Sequence, residues 1–526
     1  IYAFATYSYP EIKVENASDS GYDVHMLSYN MWREGTHFGW DRLVPYYERT
    51  PYLGYYDDGN RAAMDVQIKW LREHSVNTLV FPFVRDSSNA GNPIKRYLRD
   101  YALNDGYLNC DLSNEIKFAI MLSGMDTSNI LGSDDFRNNV VPYLAEHYFK
   151  NPNYARIDNK AVIYMYTLSS FITVFGSEDN ARAEIEYLNN YVKQLGYSGV
   201  YIISSCDAND DTAVKSAKNI GADATFLYSA PNIAGYLNTQ STYNTVALSI
   251  AQNNGLDFVP NVFMGYNDIA WRKSLTYGDG TLTPRSFEAL LSSVKNKIDN
   301  GECRLVALGV WNEFGEGHYF MPSNKYGYLY MDATEKVFGG KQYSSSDEMP
   351  GLELRNECGW LYMKNRDVEP LFDEIEYNPE QLSVIRQWDF SSSDTQGWAA
   401  DSSASLVCEN GNLVIKSPKN TTPRIRIDLS GAEMNASRLK FLRIRMDAGS
   451  GQNGSVYGIM YLSTGASSGI YVRVPLYKDG IGTYVVPVDS GNGGSISEIV
   501  FWPIYFRGEA RGELADVLID SIEFLG

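Results

Sequence analysis

The stretch "VWNEFGEGHYF", Val310 to Phe320, carries two carboxylic acids three residues apart, Glu313 and Glu316, among aromatic side chains. It follows the apolar run "RLVALG", so the acids stand where a buried strand ends. Two carboxyls beside one sugar ring can divide the work of glycosidic cleavage, since one protonates the leaving oxygen while the other acts as nucleophile or base. Glutamates at this spacing are more often two solvated residues on one helix face. The aromatic flanks and the strand-end position favour a catalytic pair.

Other site chemistries find less support in the residue types. The five cysteines are widely spaced and form no CxxC, and no GxSxG nucleophile elbow is present. The histidines show no HxH or HExxH spacing; they are His25, His37, His74, His147 and His318. We therefore predict neither a metal site nor a cofactor, and a carboxylate mechanism remains.

Charge and composition restrict the class of partner. A formal net charge of -19 and a pI near 4.8 oppose nucleic acid and anionic membrane surfaces. Aromatic residues make up 13% of the chain, which is typical of proteins that stack sugar rings. These features predict a polysaccharide or oligosaccharide partner and a monomer. The chain has no apolar run long enough to cross a bilayer and begins at Ile1 without a signal-like segment. We expect a secreted, periplasmic or cell-surface protein whose signal was removed.

Eight apolar runs alternate with helical patterns between residues 22 and 320, which predicts a (β/α)8 TIM barrel. We place this catalytic domain at residues 22–375, after an N-terminal extension of residues 1–21. An open doubly wound sheet could give a similar string, but the GxGxxG phosphate loop is absent. The runs are "VHMLSY", "NTLVFPF", "KFAIML", "AVIYMY", "VYIISS", "DATFLY", "DFVPNVF" and "RLVALGVW".

The pattern changes after about residue 380, where helical periodicity gives way to short alternating strands separated by Gly, Ser, Asn and Asp. We predict a linker over residues 376–385 and an all-β sandwich over residues 386–526. The segment "DVLIDSIEFL" resembles the last strand of many jelly-roll carbohydrate-binding modules, which implies a jelly-roll-like fold. This domain would either bind carbohydrate or support the barrel. Six aromatic residues form either a stacking platform or the sandwich core: Trp388, Trp398, Tyr461, Tyr471, Trp502 and Tyr505.

In a (β/α)8 barrel the active site lies at the carboxyl ends of the strands. Nearly all eight predicted strand ends carry an acid, an amide, an arginine or an aromatic ring. With Glu313 and Glu316 as the catalytic pair, the predicted substrate-binding residues are Tyr29, Trp32, Asp86, Tyr166, Asp207, Tyr228, Tyr266, Asn267, Asp268, Arg272, Trp311, Asn312, His318 and Tyr319.

The motif "WNEFGEG" resembles the "WNEWxEG" end-of-barrel motif of family 99 glycoside hydrolases, which are endo-α-mannosidases and endo-α-mannanases, and of their WbsX-like relatives. Supporting similarities are "GWDRLVPYYERTPYLGYYDDGNRAAMDVQIKWLREHSVNTLVF", "VPNVFMGYNDIAWR" and "YGYLYMDATEKVF". The resemblance covers roughly residues 22 to 340. Phe314 stands where the family usually has Trp, and Tyr266, Asn267 and Asp268 stand for "WDN".

The resemblance implies a retaining, endo-acting glycoside hydrolase on an α-mannan-type or related glycan. Glu313 would draw the proton from the sugar's own 2-hydroxyl, which attacks the anomeric carbon and gives a 1,2-anhydro sugar. Glu316 would be the acid and then the base. An axial 2-hydroxyl can reach the back of an axial leaving group, so no third carboxylate is needed.

Three alternatives remain open at this point. A relative with the same fold could act on another α-glycan or take part in polysaccharide synthesis, although a sugar-nucleotide donor needs basic residues and only Arg85 and Arg272 stand at strand ends. A non-catalytic glycan-binding protein would bind glycan without releasing new reducing ends. A structural assembly protein would bury the strand-end aromatic residues against a partner.

Overall fold

A computed structural model gives the structure of the chain. It describes residues 12–15, 17, 21–30, 32, 40, 43, 46–85, 101–122, 130–229, 231–272, 280–340, 349–358, 382–401, 404–416, 423–432, 434–447, 457–464, 469–475, 480–488, 493–505 and 516–526. Of the predicted site residues, Asp86 lies outside this set, as does the side chain of Arg272.

Ten strands form one sheet in the N-terminal part of the chain, and each of the eight predicted apolar runs supplies at least one of them. All pair in parallel except β4, which pairs antiparallel with β5. The strands are β1 (Asp23–Leu27), β2 (Thr78–Phe83), β3 (Lys117–Leu122), β4 (Arg156–Ile157), β5 (Lys160–Met165), β6 (Gly199–Ser205), β7 (Ala224–Phe226), β8 (Asp257–Phe258), β9 (Asn261–Val262) and β10 (Leu305–Leu308).

The sheet closes into a barrel through the seventh apolar run, which is split into β8 and β9. β8 pairs with β7, β9 pairs with β10, and β10 pairs with β1. Pro260, between the two pieces, has no amide hydrogen to donate, but its carbonyl accepts from the Ala307 amide at 2.9 Å. Val259 donates to the Thr225 carbonyl, also at 2.9 Å. The predicted (β/α)8 TIM barrel is therefore confirmed.

Two of the long helices begin at residues whose side chains cap a free backbone amide. Ser177 caps α5 by accepting from the Asn180 amide, and Thr283 caps α9 by accepting from the Ser286 amide. The helices are α1 (Arg61–Glu73), α2 (Ser133–Asp135), α3 (Val141–Leu144), α4 (Leu168–Phe175), α5 (Glu178–Lys193), α6 (Asp211–Asn219), α7 (Leu237–Asn253), α8 (Ile269–Arg272), α9 (Pro284–Asp299), α10 (Leu329–Thr334) and α11 (Leu352–Glu357). π-helical turns continue α2 and α3 through residues 136–140 and 145–149.

The C-terminal part of the chain contains two antiparallel sheets, as the alternating pattern predicted. One has the order β15-β16-β23-β18-β21, with β13 also on β23, and the other has the order β14-β17-β22-β19-β20. Their strands are β13 (Val384–Trp388), β14 (Ala399–Ala400), β15 (Ser405–Glu409), β16 (Asn412–Lys416), β17 (Ile425–Asp428), β18 (Phe441–Asp447), β19 (Tyr457–Ser463), β20 (Ile470–Pro475), β21 (Gly482–Pro487), β22 (Glu498–Tyr505) and β23 (Val517–Leu525).

None of the helices in the described part of the chain combines the length and the apolar character that a bilayer crossing requires. The barrel interior is filled by an apolar cluster to which most of its strands contribute. Three half-buried tyrosines, Tyr29, Tyr166 and Tyr228, pack against this cluster. They follow β1, β5 and β7, so they lie at the carboxyl ends of those strands, where a barrel active site is expected.

Candidate active site

A tight hairpin after β10 holds the two predicted catalytic acids. β11 (Asn312–Glu313) pairs antiparallel with β12 (His318–Tyr319), and a 3-10 turn over Phe314–Glu316 joins them. Gly317 closes the turn with a φ of 61°, a conformation that favours glycine. Glu313 stands directly opposite His318 in this pairing. The hairpin therefore places one acid beside the histidine and carries the other on the turn.

Both carboxyls converge on the same ring nitrogen. His318 Nε2 lies 3.0 Å from Glu313 Oε2 and 3.7 Å from Glu316 Oε2. One oxygen of each glutamate and a ring nitrogen of His318 all lie within 4.8 Å of one another. Among the described residues, these are also the side chains that could together hold a metal ion. The structure thus brings Glu313, Glu316 and His318 into one site.

Burial raises the pKa values of both acids. Desolvation raises the pKa of Glu313 to about 8. Desolvation and then the charge of Glu313 raise the pKa of Glu316 to about 7. Glu313 is 6% exposed, whereas the side chain of Glu316 is 26% exposed. Near neutral pH the pair can therefore hold a single shared proton.

The higher pKa of Glu313 would place that proton on Glu313, the reverse of the roles that the resemblance implies. The hydrogen bonds favour the opposite placement. Glu313 has the hydroxyl of Tyr228 and the ring of His318 as partners, and donors to a carboxylate stabilise its charged form. His318 and the hydroxyl of Tyr266 also lower the pKa of Glu316, but the charges of Glu313 and Asp268 raise it and favour the protonated form. Glu316 is the more accessible acid, and a proton donor must reach the leaving group, so the geometry favours the proton on Glu316.

Aromatic rings border the carboxyl pair. Tyr166 and Tyr228 meet edge to face with ring centroids 4.5 Å apart. Trp271 lies edge-on to Tyr29 at 6.1 Å and stacks on Trp32 at the same distance. Tyr29, Tyr166, Tyr228 and Trp271 are half-buried, so their rings keep exposed surface that a sugar face could contact.

Gly315 makes room for Trp271. A Cβ atom at position 315 would lie 1.7 Å from the indole ring, far inside contact distance. Any larger residue would therefore displace the tryptophan or the turn that carries Glu316. The first glycine of the motif is thus explained by packing, whereas the second, Gly317, is explained by its backbone conformation.

Several residues predicted to bind substrate are buried behind the pair. Asn312 accepts from the Tyr29 amide at 2.8 Å, and its amide donates to the Tyr56 hydroxyl at 3.0 Å. The Trp32 indole donates to the Asn312 carbonyl at 2.7 Å, and the Trp311 indole donates to Gln67 at 2.7 Å. These side chains hold the hairpin against the barrel.

Tyr266, Asp268 and Tyr319 are buried as well, and Asn267 is half-buried. The amide of Asn267 donates to the Glu316 carbonyl at 2.6 Å, which ties the loop after β9 to the turn. Asp207 lies apart from this group, exposed after β6, where it accepts from the Tyr243 hydroxyl at 3.2 Å.

Arg49 is a site residue that the sequence did not reveal. It is buried, and its Nη1 donates to the carbonyls of Phe314 at 2.8 Å, Asn267 at 3.1 Å and Gly315 at 3.4 Å. Its Nη2 donates to Asn267 Oδ1 at 2.6 Å. The guanidinium therefore braces the turn of Glu316 and the loop of Asn267 together.

The comparison with protein families matches the part of the chain that builds this site. The sequence model of the family described as "Glycosyltransferase WbsX" matches residues 46–334, more than half of the chain. The chain belongs to the WbsX family. The match confirms the resemblance to WbsX-like sequences. The matched range of this WbsX chain includes Arg49, Glu313, Glu316 and His318.

Solved structures similar to this WbsX chain are distant. A "Glycoside hydrolase-like protein" is 15% identical, covers 64% of this chain and 98% of its own, and has a TM-score of 0.46. The family 99 endo-α-mannosidase from Bacteroides thetaiotaomicron, in complex with bis-tris propane, is 14% identical, covers 61% and 98%, and has a TM-score of 0.41. A mutant family 29 carbohydrate-binding module is 16% identical, covers 27% and 89%, and has a TM-score of 0.21. No curated protein matches the chain. Likenesses this distant carry no argument about activity.

Proposed function

We propose that this protein is a retaining, endo-acting glycoside hydrolase that cleaves an α-mannan-type or related glycan outside the cell. The observation that carries the proposal is the convergence of Glu313 and Glu316 on His318 at the carboxyl end of a closed barrel. Inverting glycosidases keep their carboxyls roughly 6.5–9.5 Å apart to admit a water molecule. Oxygen atoms of this pair lie within 4.8 Å, which favours retention.

The first step uses both acids at once. Glu313 takes the proton of the 2-hydroxyl as that oxygen forms a bond to the anomeric carbon. The bond from the anomeric carbon to the leaving oxygen breaks, and Glu316 gives that oxygen its proton. The product is a 1,2-anhydro sugar, and the configuration at the anomeric carbon has inverted once.

The second step reverses the proton movements. Glu316, now ionised, takes a proton from water as the water oxygen attacks the anomeric carbon. The bond to O2 breaks, and Glu313 returns its proton to that oxygen. A second inversion restores the original configuration, and each glutamate ends in its starting state.

Glycosyl transfer is the second candidate, because the family's description names it. The same acids could pass the sugar to a hydroxyl group instead of water. A nucleotide donor would also need cations for its phosphates. Arg85 is buried in a two-bond ion pair with Asp135, and Arg49 donates to backbone carbonyls. Neither arginine is placed to receive a phosphate, so we favour hydrolysis.

The test is product analysis with a panel of α-mannans and related glycans, together with sugar nucleotides plus acceptor glycans. We expect new reducing ends from the glycans and no nucleotide release. Glu316→Gln should lower the rate at least about 1,000-fold, whereas Glu186→Gln, on the exposed side of α5, should leave it unchanged. Nucleotide release would support transfer. Binding of glycan without cleavage would support a non-catalytic protein, and undiminished cleavage by Glu316→Gln would remove Glu316 from its role.

A further inference from the structure

A groove lies at the carboxyl ends of β5, β6 and β7, beside the tyrosines that border the carboxyl pair. It has a volume of about 890 Å³, and its walls are α4 and α6. Its floor is formed by the ends of β6 and the segments after β5 and β7, including Tyr166 and Tyr228. The volume lies in the upper part of the range of roughly 300–1,000 Å³ that small-molecule sites occupy.

Tyr166 and Tyr228 connect the groove to the pair. Both rings line the groove, while the hydroxyl of Tyr228 hydrogen-bonds to Glu313. Burial, and then the charges of Glu313 and Glu316, raise the pKa of the Tyr166 hydroxyl, and the Tyr166 ring contacts the Tyr228 ring with centroids 4.5 Å apart. A chain that passes over the two rings would enter the groove directly from the site.

The lining suits the surface of an uncharged sugar. Hydroxyl groups line the walls beside apolar side chains, among them Ser169, Thr173, Leu168 and Ile172. Such a mixture lets sugar hydroxyls hydrogen-bond while the ring faces pack.

The charged residues of the groove are already engaged with neighbouring residues. Glu178 accepts from Ser216 at 2.6 Å and from Asn219 at 2.8 Å, and Lys215 pairs with Asp211 at 2.5 Å. Asp210 caps α6 by accepting from the Thr212 amide at 2.9 Å.

The sign of the charge excludes anionic ligands. Among the described residues, the lining contains three acids and a single base, Lys215; the acids are Glu178, Asp207 and Asp210. The whole chain also carries a net charge of -19. A glycan with phosphate, sulfate or uronate groups would be repelled here, and so would a nucleotide.

We propose that this groove binds a run of uncharged sugar units that continues from the unit held at Glu313 and Glu316. The inference rests on the proposed function for the position of that first unit. Affinity then comes from several sugar units, and unsubstituted neutral glycans bind more tightly than anionic ones.

The experiment measures binding by calorimetry to Glu316→Gln, so that the ligand stays intact. The probes are α-mannose disaccharide, α-mannose hexasaccharide and the phosphorylated hexasaccharide. We expect the hexasaccharide to bind at least about tenfold more tightly than the disaccharide. Thr212 is an exposed groove residue on α6. The double variant Glu316→Gln, Thr212→Trp should lose the tighter binding of the hexasaccharide and bind the disaccharide as before. The phosphorylated hexasaccharide should bind more weakly than the neutral one.

A matched control is Lys218→Trp, since Lys218 is exposed on α6 but lies outside the groove lining. This variant should keep the full increase in affinity from the disaccharide to the hexasaccharide. The proposal is overturned if no probe binds, if affinity does not rise with length, if Thr212→Trp behaves like Lys218→Trp, or if phosphate does not weaken binding. Length-dependent binding without cleavage by the native chain would overturn the hydrolase proposal alone, whereas cleavage without these groove effects would overturn the groove alone.

Discussion

His318 Nε2 lies 3.0 Å from Glu313 Oε2, and the ring of His318 is buried. Desolvation lowers the pKa of His318, so the ring is neutral near pH 7. Among the described residues, Nδ1 has no hydrogen-bond partner. A buried N–H without a partner is more costly than an unused lone pair, so the hydrogen belongs on Nε2. His318 therefore donates to Glu313, and its role is to position this acid and favour its ionised form.

Replacing His318 should change the pH dependence of catalysis. The groups that face His318 are Glu313, Glu316, Tyr266 and Phe263. His318→Phe removes the donor to Glu313 and so raises the pKa of that acid, which must be ionised to act as the base. We expect the acid limb of kcat/KM to move up by about one pH unit, since a hydrogen bond to a charged group contributes roughly 1.5 kcal/mol.

The pH profile of kcat/KM in both chains is the measurement. His318→Gln, which keeps a donor, should restore part of the native profile. An equal loss of activity at every pH would mean that His318 only supports the fold.

The buried acids should destabilise the fold at alkaline pH. Burial raises the pKa of both acids from the ordinary 4.5, to about 8 for Glu313 and about 7 for Glu316, so the native pair binds more protons than the unfolded chain between pH 4.5 and 8. Stability therefore falls as the pH rises from about 4.5 to 8. Glu313→Gln removes the contribution of Glu313 and should raise the free energy of unfolding at pH 8.5 by roughly 1–4 kcal/mol. Urea unfolding at pH 4 and pH 8.5 checks this, and a variant that gains no stability at the higher pH contradicts it.

Arg49 should be essential for the rate although it touches no substrate. Arg49→Lys keeps the charge but cannot reach the carbonyls of Phe314, Gly315 and Asn267 together. A shift of the turn by about 1 Å would lower kcat roughly 100-fold. Steady-state kinetics measures this, with Arg137→Lys as the control, because Arg137 is a part-exposed arginine paired with Glu184. A native kcat in Arg49→Lys would show that the hydrogen bonds from Arg49 to the backbone carbonyls are not needed for the rate.

The C-terminal sheets offer a smaller aromatic surface than the sequence suggested. Trp388 and Trp398 are buried against each other, so they belong to the core. Tyr471 is 66% exposed, and its ring lies 4.8 Å from that of Tyr461 on the neighbouring strand. In the described part of the sheets, this pair and the half-buried Trp502 remain as candidates for a stacking platform, and the side chain of Tyr505 lies outside the described residues.

Tyr471→Ala should weaken retention on insoluble mannan severalfold while leaving hydrolysis of soluble oligosaccharides unchanged, because stacking holds the polymer away from the barrel site. Ile481→Ala, at another exposed apolar position, is the control. Pull-down on the polymer measures the effect. Equal retention of both variants on the polymer would show that Tyr471 does not contribute to glycan binding.

The sequence predicted the barrel well because each strand is a short apolar run that neighbours bury on both faces. It also placed Glu313 and Glu316 correctly at a strand end. The split between β8 and β9 was not predicted, although Pro260 marks it. β16 to β23 lie where the alternating pattern predicted strands, whereas β13, β14 and β15, which bury few of their side chains, were not identified.

The supporting residues could not be read from the sequence. Arg49 acts across more than 200 residues of chain, from a segment with little regular structure. Nor does sequence distinguish an aromatic ring that lines a site from one that is buried behind it. Trp32 and Trp311 were predicted to bind substrate, yet both are buried, whereas Trp271, which keeps an exposed surface, was not singled out.

The most direct test of the central claim is the anomeric configuration of the first product. Proton NMR can follow the native chain acting on an α-linked mannan fragment before mutarotation equilibrates the new reducing end. Glu313 and Glu316, acting through the sugar's 2-hydroxyl, predict the α anomer first and no cleavage of the matching 2-deoxy fragment. The β anomer first, or ready cleavage of the 2-deoxy fragment, would contradict the account.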